Sequence, residues 1–401
     1  MTVWSATGGG MLAVAGCLFL AAGSSAQVSD HGTPKHKQAT EDATAFQIDA
    51  AHDGTVAFKR GFSAPLKQAW IVNLGGPVSY PVTANGMVFV TVGNVGNPGS
   101  QLYALDIKTG KTIWQKQVGS TSDDFSNVTY DKGQIFLLNS AGNLQGITAD
   151  KRGKLNWTVQ VGSIEAAPTA AGGLVYVAGE QQDGLVLALD ETTGGVAWGG
   201  AVEFGQQSAP AVGDKGVYVS YPCEYYKFGA PNGRLDWHDN TGCFGGGGAT
   251  PVYDNLQVYI RDAATGDWIL NAATGEIVGQ FNADETPTFW KSTNGDKYEI
   301  SLSGTTLSAT DTVTGSTIWS FTGDDYLSSP PIVVNDLVVE GSLQGNLYLL
   351  DPSTGSQVWT TNVGAGIEPG EQPGIPWTGL GAGENTLLVP ASDLLAAYVP
   401  K

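Results

Sequence analysis

A single phrase, LYALDIKTGKTIWQKQVG at residues 102–119, returns six more times along the chain. In each copy two runs of alternating apolar residues flank a short turn that contains glycine, a pattern that predicts a β-hairpin. Glycine suits such a turn because it adopts the left-handed backbone conformation without steric cost. The other copies occupy residues 144–162, 185–202, 225–240, 268–281, 307–323 and 347–364.

The period of this repeat is marked by the residue four positions after the turn glycine. Successive copies are 39 to 43 residues apart. The marker residues are Trp114, Trp157, Trp198, Trp237, Gly279, Trp319 and Trp359. Units of about 40–45 residues with four short strands each are typical of β-propellers, and seven complete units predict seven blades.

An eighth blade is predicted from the two ends of the array. Trp70 lies 44 residues before the first marker tryptophan and has no hairpin ahead of it, while residues 384–401 supply strands without a tryptophan strand. Two half-units at opposite ends indicate a ring that closes when the terminal strands pair. The fold class is therefore all-β: an eight-bladed β-propeller of four-stranded antiparallel blades over residues 61–401.

The recurring side chains have structural explanations. Each blade must cover the apolar face of the next, so we expect the indoles to pack between blades; they belong to Trp70, Trp114, Trp157, Trp198, Trp237, Trp319 and Trp359. The Asp or Asn before each turn is expected to accept hydrogen bonds from turn amides; these residues are Asp106, Asp190, Asn271, Asp311 and Asp351. In the fifth hairpin, Phe281 is expected to fill the space of the missing tryptophan.

The hairpin pattern A/V-x-D-x-x-T-G-x-x-x-W resembles the pyrroloquinoline-quinone (PQQ) repeat family over about residues 46–401. The resemblance implies an eight-bladed ring, and it leaves two functions open. The family includes quinoprotein dehydrogenases, which use PQQ with Ca²⁺, and cofactor-free members such as the BamB-type barrel-assembly proteins. Adjacent cysteines, typical of the dehydrogenases, are absent here.

Cofactor-binding candidates can be chosen only because they lie in predicted loops or break the repeat. They are Glu165, Asp262, Trp290, Asp324 and Trp377. Catalytic residues stay unassigned, and no metal ligand set is predicted. The sequence therefore favours a non-catalytic exported propeller that binds a protein or small-molecule ligand through its loop face. The alternative is a PQQ-dependent quinoprotein oxidoreductase that acts on alcohols or sugars.

The amino end is predicted to direct export. Residues 1–26 carry no charge and hold an apolar run before Ser24, Ser25 and Ala26, as in a cleavable signal peptide. A lipid anchor at Cys17 is the minor alternative. Location is therefore expected to be secreted or periplasmic.

Residues 27–60 are predicted to form a flexible linker and entry segment. A solvated tail is favoured over a metal role for His31 and His36. The stretch FQIDAAHDG at 46–54 is more structured, and we expect it to pack against the outside of the ring or the closing blade.

The net charge of the chain restricts the kinds of partner that it can bind. The formal net charge of −19 disfavours nucleic acid, whose phosphates require a basic surface. No segment beyond the leader is long and apolar enough for a transmembrane helix. A monomer is expected.

In a four-stranded meander the long connections between blades share one face, and several carry acidic or amide side chains. These are Asp123, Asp124, Glu165, Gln206, Gln207, Asp284, Glu285, Asp324, Asp325, Glu368 and Glu371. Three roles remain open for this rim: holding a hard cation, attracting a basic peptide, or keeping the surface soluble.

Cys223 and Cys243 are the two cysteines that remain after removal of the leader, and both fall on the loop face of the fourth blade. In an exported protein such a pair is expected to form a disulfide. A glycine run, 245–248, follows Cys243 and permits close approach of another backbone or a ligand.

Overall fold

The computed structural model describes residues 41–93, 99–119, 125–162, 166–179, 184–203, 205, 207–242 and 248–401. Within these ranges the secondary structure consists of β-strands and turns, without helices. Several sequence predictions fall outside them: the signal peptide, Cys17, His31, His36, Asp123, Asp124, Glu165, Gln206 and Cys243.

The strands form eight sheets that follow one another along the chain as antiparallel meanders. Blade 1 comprises β3 (Val82–Ala84), β4 (Met87–Val92), β5 (Gln101–Asp106) and β6 (Thr112–Gln117). Blade 2 comprises β7 (Ser126–Asp131), β8 (Gln134–Asn139), β9 (Asn143–Thr148) and β10 (Leu155–Gln160). Blade 3 comprises β11 (Thr169–Ala171), β12 (Leu174–Gly179), β13 (Leu185–Asp190) and β14 (Val196–Ala201). Blade 4 comprises β15 (Ala211–Gly213), β16 (Gly216–Tyr221), β17 (Glu224–Gly229) and β18 (Leu235–Asn240).

The second half of the ring repeats this order. Blade 5 comprises β19 (Val252–Asp254), β20 (Gln257–Ile260), β21 (Asp267–Asn271) and β22 (Ile277–Phe281). Blade 6 comprises β23 (Thr288–Lys291), β24 (Lys297–Ser303), β25 (Thr306–Asp311) and β26 (Thr317–Phe321). Blade 7 comprises β27 (Ile332–Val334), β28 (Leu337–Gly341), β29 (Asn346–Leu350) and β30 (Gln357–Asn362). Blade 8 comprises β31 (Gly381–Gly383), β32 (Thr386–Ala391) and β33 (Leu394–Pro400), with β2 (Leu66–Asn73) as its outer strand.

Ring closure occurs in blade 8. Strand β2 pairs antiparallel with β33, and Trp70 lies opposite Ala397 in the register. The predicted eight-bladed propeller, closed by its terminal strands, is confirmed. A short additional strand, β1 (Thr55–Val56), pairs parallel with β27 on the inner edge of blade 7.

The marker indoles lie against the turn of the following blade. Trp114 donates its Nε1–H to Asp150 O at 2.8 Å, and Trp70 donates to Ile107 O at 2.8 Å. A Cβ at Gly153 would come within 2.5 Å of the Trp114 ring, and one at Gly110 within 2.6 Å of Trp70. The turn glycine therefore serves two purposes, since it adopts a positive φ and leaves room for an aromatic ring.

Blade 5 lacks this contact. Phe281 packs on Tyr259 of its own blade, with ring centroids 5.4 Å apart. Around Gly315, the turn glycine of blade 6, a Cβ would meet no heavy atom within 4 Å. Phe281 therefore does not replace the missing indole between the blades, contrary to the expectation.

The amino-terminal segment 41–56, called the channel segment below, runs through the centre of the ring. Phe46, Gln47, Ile48 and His52 are buried. The prediction that residues 46–54 pack against the outside of the ring or the closing blade is wrong, because they lie in the channel and bond to blades 3 to 7. Within the described part of the predicted linker, residues 41–58 are buried or half-buried, and Lys59 and Arg60 are exposed.

Hydrogen bonds from the channel segment reach every blade, which explains why a polar stretch can be buried there. The inner strands leave one edge of backbone groups unpaired, and an extended chain can satisfy them. The bonds are Thr83 N to Ala43 O, Tyr130 N to Thr44 O, Thr169 Oγ1 with His52 Nε2, Val212 N to Ala50 O, Tyr253 N to Ala51 O, Thr288 Oγ1 to Asp53 O, Val333 N to Gly54 O and Glu384 N to Glu41 O.

Candidate functional site

The two faces of the ring differ in construction. Short turns between the first and second strands and between the third and fourth strands form one face, the turn face. The connections between second and third strands and between successive blades form the other, the loop face. A closed propeller presents its long connections around the mouth of its channel, so the loop face is the natural place to look for a site.

Residues 367–377, called the mouth segment below, cross the channel at the loop face. At one end Ile367 N donates to Ser342 O of blade 7 at 3.0 Å. At the other, Trp377 N donates to Asn127 Oδ1 of blade 2 at 3.0 Å. Between these ends Glu371 accepts a 2.8 Å hydrogen bond from Thr250 N at the entry to blade 5. The segment therefore spans the mouth from one side of the ring to the other.

Aromatic side chains fill the space where the mouth segment meets the channel segment. The Phe46 ring lies 5.3 Å from Trp377 and 5.4 Å from Tyr80, both in edge-on arrangements. All three side chains are fully buried. The centre of the loop face is thus occupied by the protein's own side chains.

An arginine and three glutamates lie beside the mouth segment. Arg261, which follows β20, forms an ion pair with Glu371 of the mouth segment. Glu285 accepts a 3.1 Å hydrogen bond from Gly370 N. Glu340, in β28, accepts bonds from Ser329 Oγ and Gly341 N, each at 3.1 Å.

In this cluster the acidic groups outnumber the basic ones, and burial shifts their pKa values. Burial raises the pKa of Glu285 to about 7, although Arg261 partly offsets it. Burial also raises the pKa of Glu340 well above its ordinary value, and nearby Glu285 raises it further. Burial lowers the pKa of the Arg261 guanidinium. One arginine, already paired with Glu371, faces an excess of carboxyl groups, so Glu285 and Glu340 are stable here as neutral acids below neutral pH.

A cleft of about 620 Å³ opens on the loop face beside this cluster. Its walls come from blades 4 and 5 and the connection to blade 6, and they include Arg261, Asp262, Asp267, Phe281 and Asp284. Burial raises the pKa of Asp267. The cleft is large enough for a side chain or a small ligand.

Asp262 is held by internal hydrogen bonds. Its Oδ2 accepts from Tyr225 OH at 2.5 Å, from Thr265 Oγ1 at 2.8 Å and from Cys223 N at 2.9 Å. Burial opposes ionisation, but the bonds from Tyr225, Ala264 and Thr265 outweigh it and lower the pKa. This carboxylate therefore orders the wall of the cleft.

The other candidates lie apart from Asp262. Asp324 accepts hydrogen bonds from Ser342 Oγ at 2.7 Å and from Asn346 Nδ2 at 2.6 Å, both in blade 7. Burial raises the pKa of Asp324, but these hydrogen bonds lower it by more, so the pKa lies below its ordinary value. Trp290 lies in β23, and its Nε1–H donates to Asp336 Oδ1 at 3.3 Å on the turn face. There it lines a second cleft, of about 700 Å³.

These positions do not fit a quinone and its metal ion. Asp262, Trp290 and Asp324 lie in three different blades, and Trp377 is buried against the channel segment. No group of three or more His, Cys, Asp or Glu side chains that could hold a metal ion is found in the part of the chain that the structure describes. We therefore derive no reaction step through PQQ or Ca²⁺.

Acidic side chains dominate the described part of the loop face. They are Glu203, Glu224, Asp239, Asp262, Asp267, Asp284, Glu285, Asp324, Asp325, Glu340, Glu368, Glu371 and Asp393. In the same described ranges, the lysine and arginine side chains near this face are Lys116 and Arg261, whereas at the turn face lysines and arginines are about as frequent as carboxylates. Examples at the turn face are Lys108, Lys111, Lys132, Lys151, Arg152, Lys154, Lys215, Arg234 and Lys291. The ring is thus electrostatically polarised along its axis.

Sequence reasoning missed Arg261, Glu340 and Asn127. Arg261 and Glu340 are charged residues at the end of apolar runs, a signal that could have been read from VYIR and VVEG, whereas Asn127 lies in the polar strand SNVTYD and gives no such signal. Their partners are distant in sequence: Glu371 is 110 residues from Arg261. The pairing therefore becomes visible only in the closed ring.

The family is identified by comparison of the whole repeat array. The model of the family described as outer membrane protein assembly factor BamB matches residues 38–182, 126–219, 182–297 and 303–375, well over half of the chain. The chain belongs to this BamB-type family of PQQ-like propellers. Within the described residues of this BamB-type chain, we find no helix with the length and apolarity needed to cross a bilayer.

Two curated relatives of the BamB-type chain are enzymes. It is 25% identical over 277 residues to a tetrathionate hydrolase of Acidithiobacillus ferrooxidans. The matched region covers 60% of this chain and 53% of the relative. It is 26% identical over 335 residues to the dehydrogenase subunit of a quinone alcohol dehydrogenase of Gluconobacter oxydans, with 72% and 40% covered. The matches thus span about half or less of each relative's length.

Solved structures share the fold of the BamB-type chain. A europium-containing methanol dehydrogenase superposes with a TM-score of 0.69 at 15% identity, covering 87% of this chain and 89% of that one. BamB from Moraxella catarrhalis superposes with a TM-score of 0.63 at 16% identity, covering 84% and 100%. Catalytic and non-catalytic propellers are therefore both similar to it, and the function must be argued from the site.

Proposed function

We propose that this BamB-type propeller is a non-catalytic binding protein whose loop face recruits a partner protein with a basic surface. The observation that carries the proposal is the polarised charge of the ring. An acidic face attracts a basic partner over long distances, and it speeds and orients the encounter. The relative named as an outer membrane protein assembly factor supports a role in assembly rather than chemistry.

The closed channel mouth supports the same function. Phe46, Trp377 and the mouth segment fill the position around which the loops converge. What remains accessible is the rim and the cleft beside Asp284. A rim of exposed carboxylates around a cleft can accept basic side chains from a folded partner, with specificity supplied by the cleft walls.

Exposed carboxylates from three connections allow a direct test. Glu203, Asp284 and Asp325 are exposed on the loop face. The triple variant Glu203→Gln, Asp284→Asn and Asp325→Asn is expected to bind a lysine-rich peptide probe at least tenfold more weakly at low salt. The matched control carries Asp214→Asn, Glu276→Gln and Asp336→Asn on the turn face, where these residues are also exposed. It removes the same charge and is expected to bind as the parent does.

The result that would overturn the proposal is equal weakening by both triple variants, since that would show only a response to net charge. Absence of measurable binding of the peptide to the parent protein at low salt would do the same. Binding should weaken steeply with added salt because the interaction involves solvent-exposed charges.

A second candidate function is a PQQ-dependent oxidoreductase that acts on alcohols or sugars. It is favoured by the sequence match to the quinone alcohol dehydrogenase subunit, and it would require PQQ with Ca²⁺. A hydrolase is a third class, represented by the tetrathionate hydrolase. Both activities can be assayed on the same purified protein.

We further propose that the protein is exported and monomeric, and that Cys223 pairs with Cys243. Relationship to an outer membrane assembly factor supports export. Cys223 is fully buried. Peptide mapping of the non-reduced mature protein tests the cysteine pairing and the cleavage site together; a free thiol at Cys223 would contradict the pairing.

A further inference from the structure

We propose that residues 367–377 form a lid that is closed over the channel mouth in acid and opens as the medium becomes neutral to alkaline. This goes beyond partner binding, and it does not depend on the identity of a partner. It rests on what anchors the mouth segment and on what the segment covers.

The lid has few anchors in its middle. Glu371 bonds Arg261 and Thr250, and Gly370 N donates to Glu285 Oε2 at 3.1 Å. A Cβ at Gly370 would come within 2.5 Å of Pro330 and 3.3 Å of the Phe46 ring, so glycine allows the backbone to approach this closely. Release of these anchors would free the middle of the segment while its ends stay attached to blades 7, 1 and 2.

Two neighbouring carboxyl groups at the lid are shielded from water, and one of them, Glu285, contacts the lid directly. Glu285 is 9% exposed and Glu340 is 0% exposed. Glu340 Oε2 has no hydrogen-bond partner among the described residues. A buried carboxylate needs a cation or several donors, and a buried neutral acid needs far fewer.

The surrounding charged groups cannot neutralise both carboxylates. Arg261, which directly follows β20, is already paired with Glu371 of the lid. Asp284 precedes Glu285 and adds negative charge, and Asp267 of β21 lies near Arg261 as well. Ser329 supplies one hydroxyl to Glu340. Ionisation of both glutamates therefore produces like charges beneath the lid that only water can solvate.

The direction of the pH effect follows from linkage. Burial raises the pKa of Glu285 to about 7 in the closed state, above its ordinary value of 4.5. The closed state is then favoured fully below about pH 4.5, and this preference is lost as the pH rises towards 7. Glu340 acts in the same direction.

The channel near the lid also holds buried amide groups without partners. Asn127 Nδ2 and Gln47 Oε1 are buried and have no hydrogen-bond partner among the described residues. Asn127 Oδ1 holds Trp377 N, so this side chain lies directly at one end of the lid. Of these channel groups, the Phe46 ring lies directly against the middle of the lid, at Gly370.

The experiment is hydrogen–deuterium exchange of the intact protein at about pH 5 and pH 8, with rates corrected for intrinsic exchange. Protection of residues 367–377 is expected to fall at the higher pH by more than tenfold beyond any fall in strand β29, whose protection follows the global stability. The double variant Glu285→Gln and Glu340→Gln is expected to keep the lid protected at both pH values, because glutamine preserves the acceptor for Gly370 N and cannot ionise. Glu299→Gln is the matched control, a similarly buried glutamate in β24 of blade 6, and should keep the parental pH response.

If protection of residues 367–377 in the parent protein does not change with pH, the proposal is overturned. This measurement uses the parent protein alone, so it does not depend on the folding of a variant. An equal loss of protection in the lid and in β29 would overturn it as well, because it would indicate global opening alone. An unchanged pH response in the folded double variant would show that other groups are responsible.

Discussion

The indole of Trp114 in blade 1 lies against Gly153 in the turn of blade 2 and donates its Nε1–H to Asp150 O at 2.8 Å. This contact explains two features of the repeat at once: why tryptophan marks the last strand and why glycine marks the turn. Indoles at five other junctions make the same kind of bond, so aromatic burial and a hydrogen bond to a backbone carbonyl join neighbouring blades at six junctions of the ring.

Blade 5 provides a natural control for this contact, because Gly279 replaces its tryptophan. Gly153 and Gly315 both have positive φ values, of 56° and 69°, but only Gly153 faces an indole. We expect Gly315→Ala to destabilise by about 1–2 kcal/mol from backbone strain. Gly153→Ala should destabilise by roughly 1–3 kcal/mol more, because its methyl group collides with Trp114. Urea unfolding of both variants measures the difference, and equal values would contradict the packing account.

The buried channel segment predicts a stabilising role for an amino-terminal side chain. Phe46→Ala removes a fully buried ring that contacts Tyr80 and Trp377. The free energy of unfolding should fall by about 3–5 kcal/mol. Leu256→Ala, at a 58% exposed position, serves as the control and should change it little. A change below about 1 kcal/mol for Phe46→Ala would indicate that the segment does not remain in the channel in solution.

Stability is also expected to depend on pH through Glu299. Burial raises the pKa of this side chain to about 7, although a hydrogen bond with Ser301 partly offsets it. Because the folded-state pKa lies above the unfolded value, stability from this group is complete below about pH 4.5 and is lost as pH rises to 7. The loss amounts to roughly 3 kcal/mol at most, from the size of the shift. Glu299→Gln should flatten the profile; an unchanged profile would contradict the assignment.

The aspartates in the hairpin turns are expected to reduce stability in acid, the opposite pH direction to Glu299. The hydrogen bond from Thr109 lowers the pKa of Asp106, and bonds from Thr314 lower that of Asp311. Their contribution is present above the unfolded-state pKa and is lost as pH falls through the lowered values. Denaturation curves of Asp311→Asn should therefore lose part of the parental decline below about pH 4. If the variant and the parent lose stability identically below about pH 4, the contribution of Asp311 to acid denaturation is contradicted.

Much of the fold could be predicted from the sequence because the repeat has a regular spacing. The hairpins, their period and the Trp70–Ala397 closure follow from spacing and from the half-units at each end. The channel segment could not be predicted, since Gln47 and His52 look like linker residues. They are buried because backbone carbonyls of distant blades accept their hydrogen bonds, as Pro331 O does from Gln47 Nε2.

The site was less predictable than the fold. Rim carboxylates such as Asp284 could be assigned to the loop face from strand order alone. Their separation into an exposed rim and a buried cluster could not, because it depends on how residues 367–377 cross the mouth. The Arg261–Glu371 pair joins parts of the chain that have no relationship in the repeat.

Addition of PQQ with Ca²⁺ to the purified protein tests the central claim most directly. The account predicts no stoichiometric uptake by absorbance, no rise in thermal stability, and no dye reduction with alcohols or sugars. Tight uptake of one equivalent with turnover would contradict it and would identify the protein as a quinoprotein oxidoreductase.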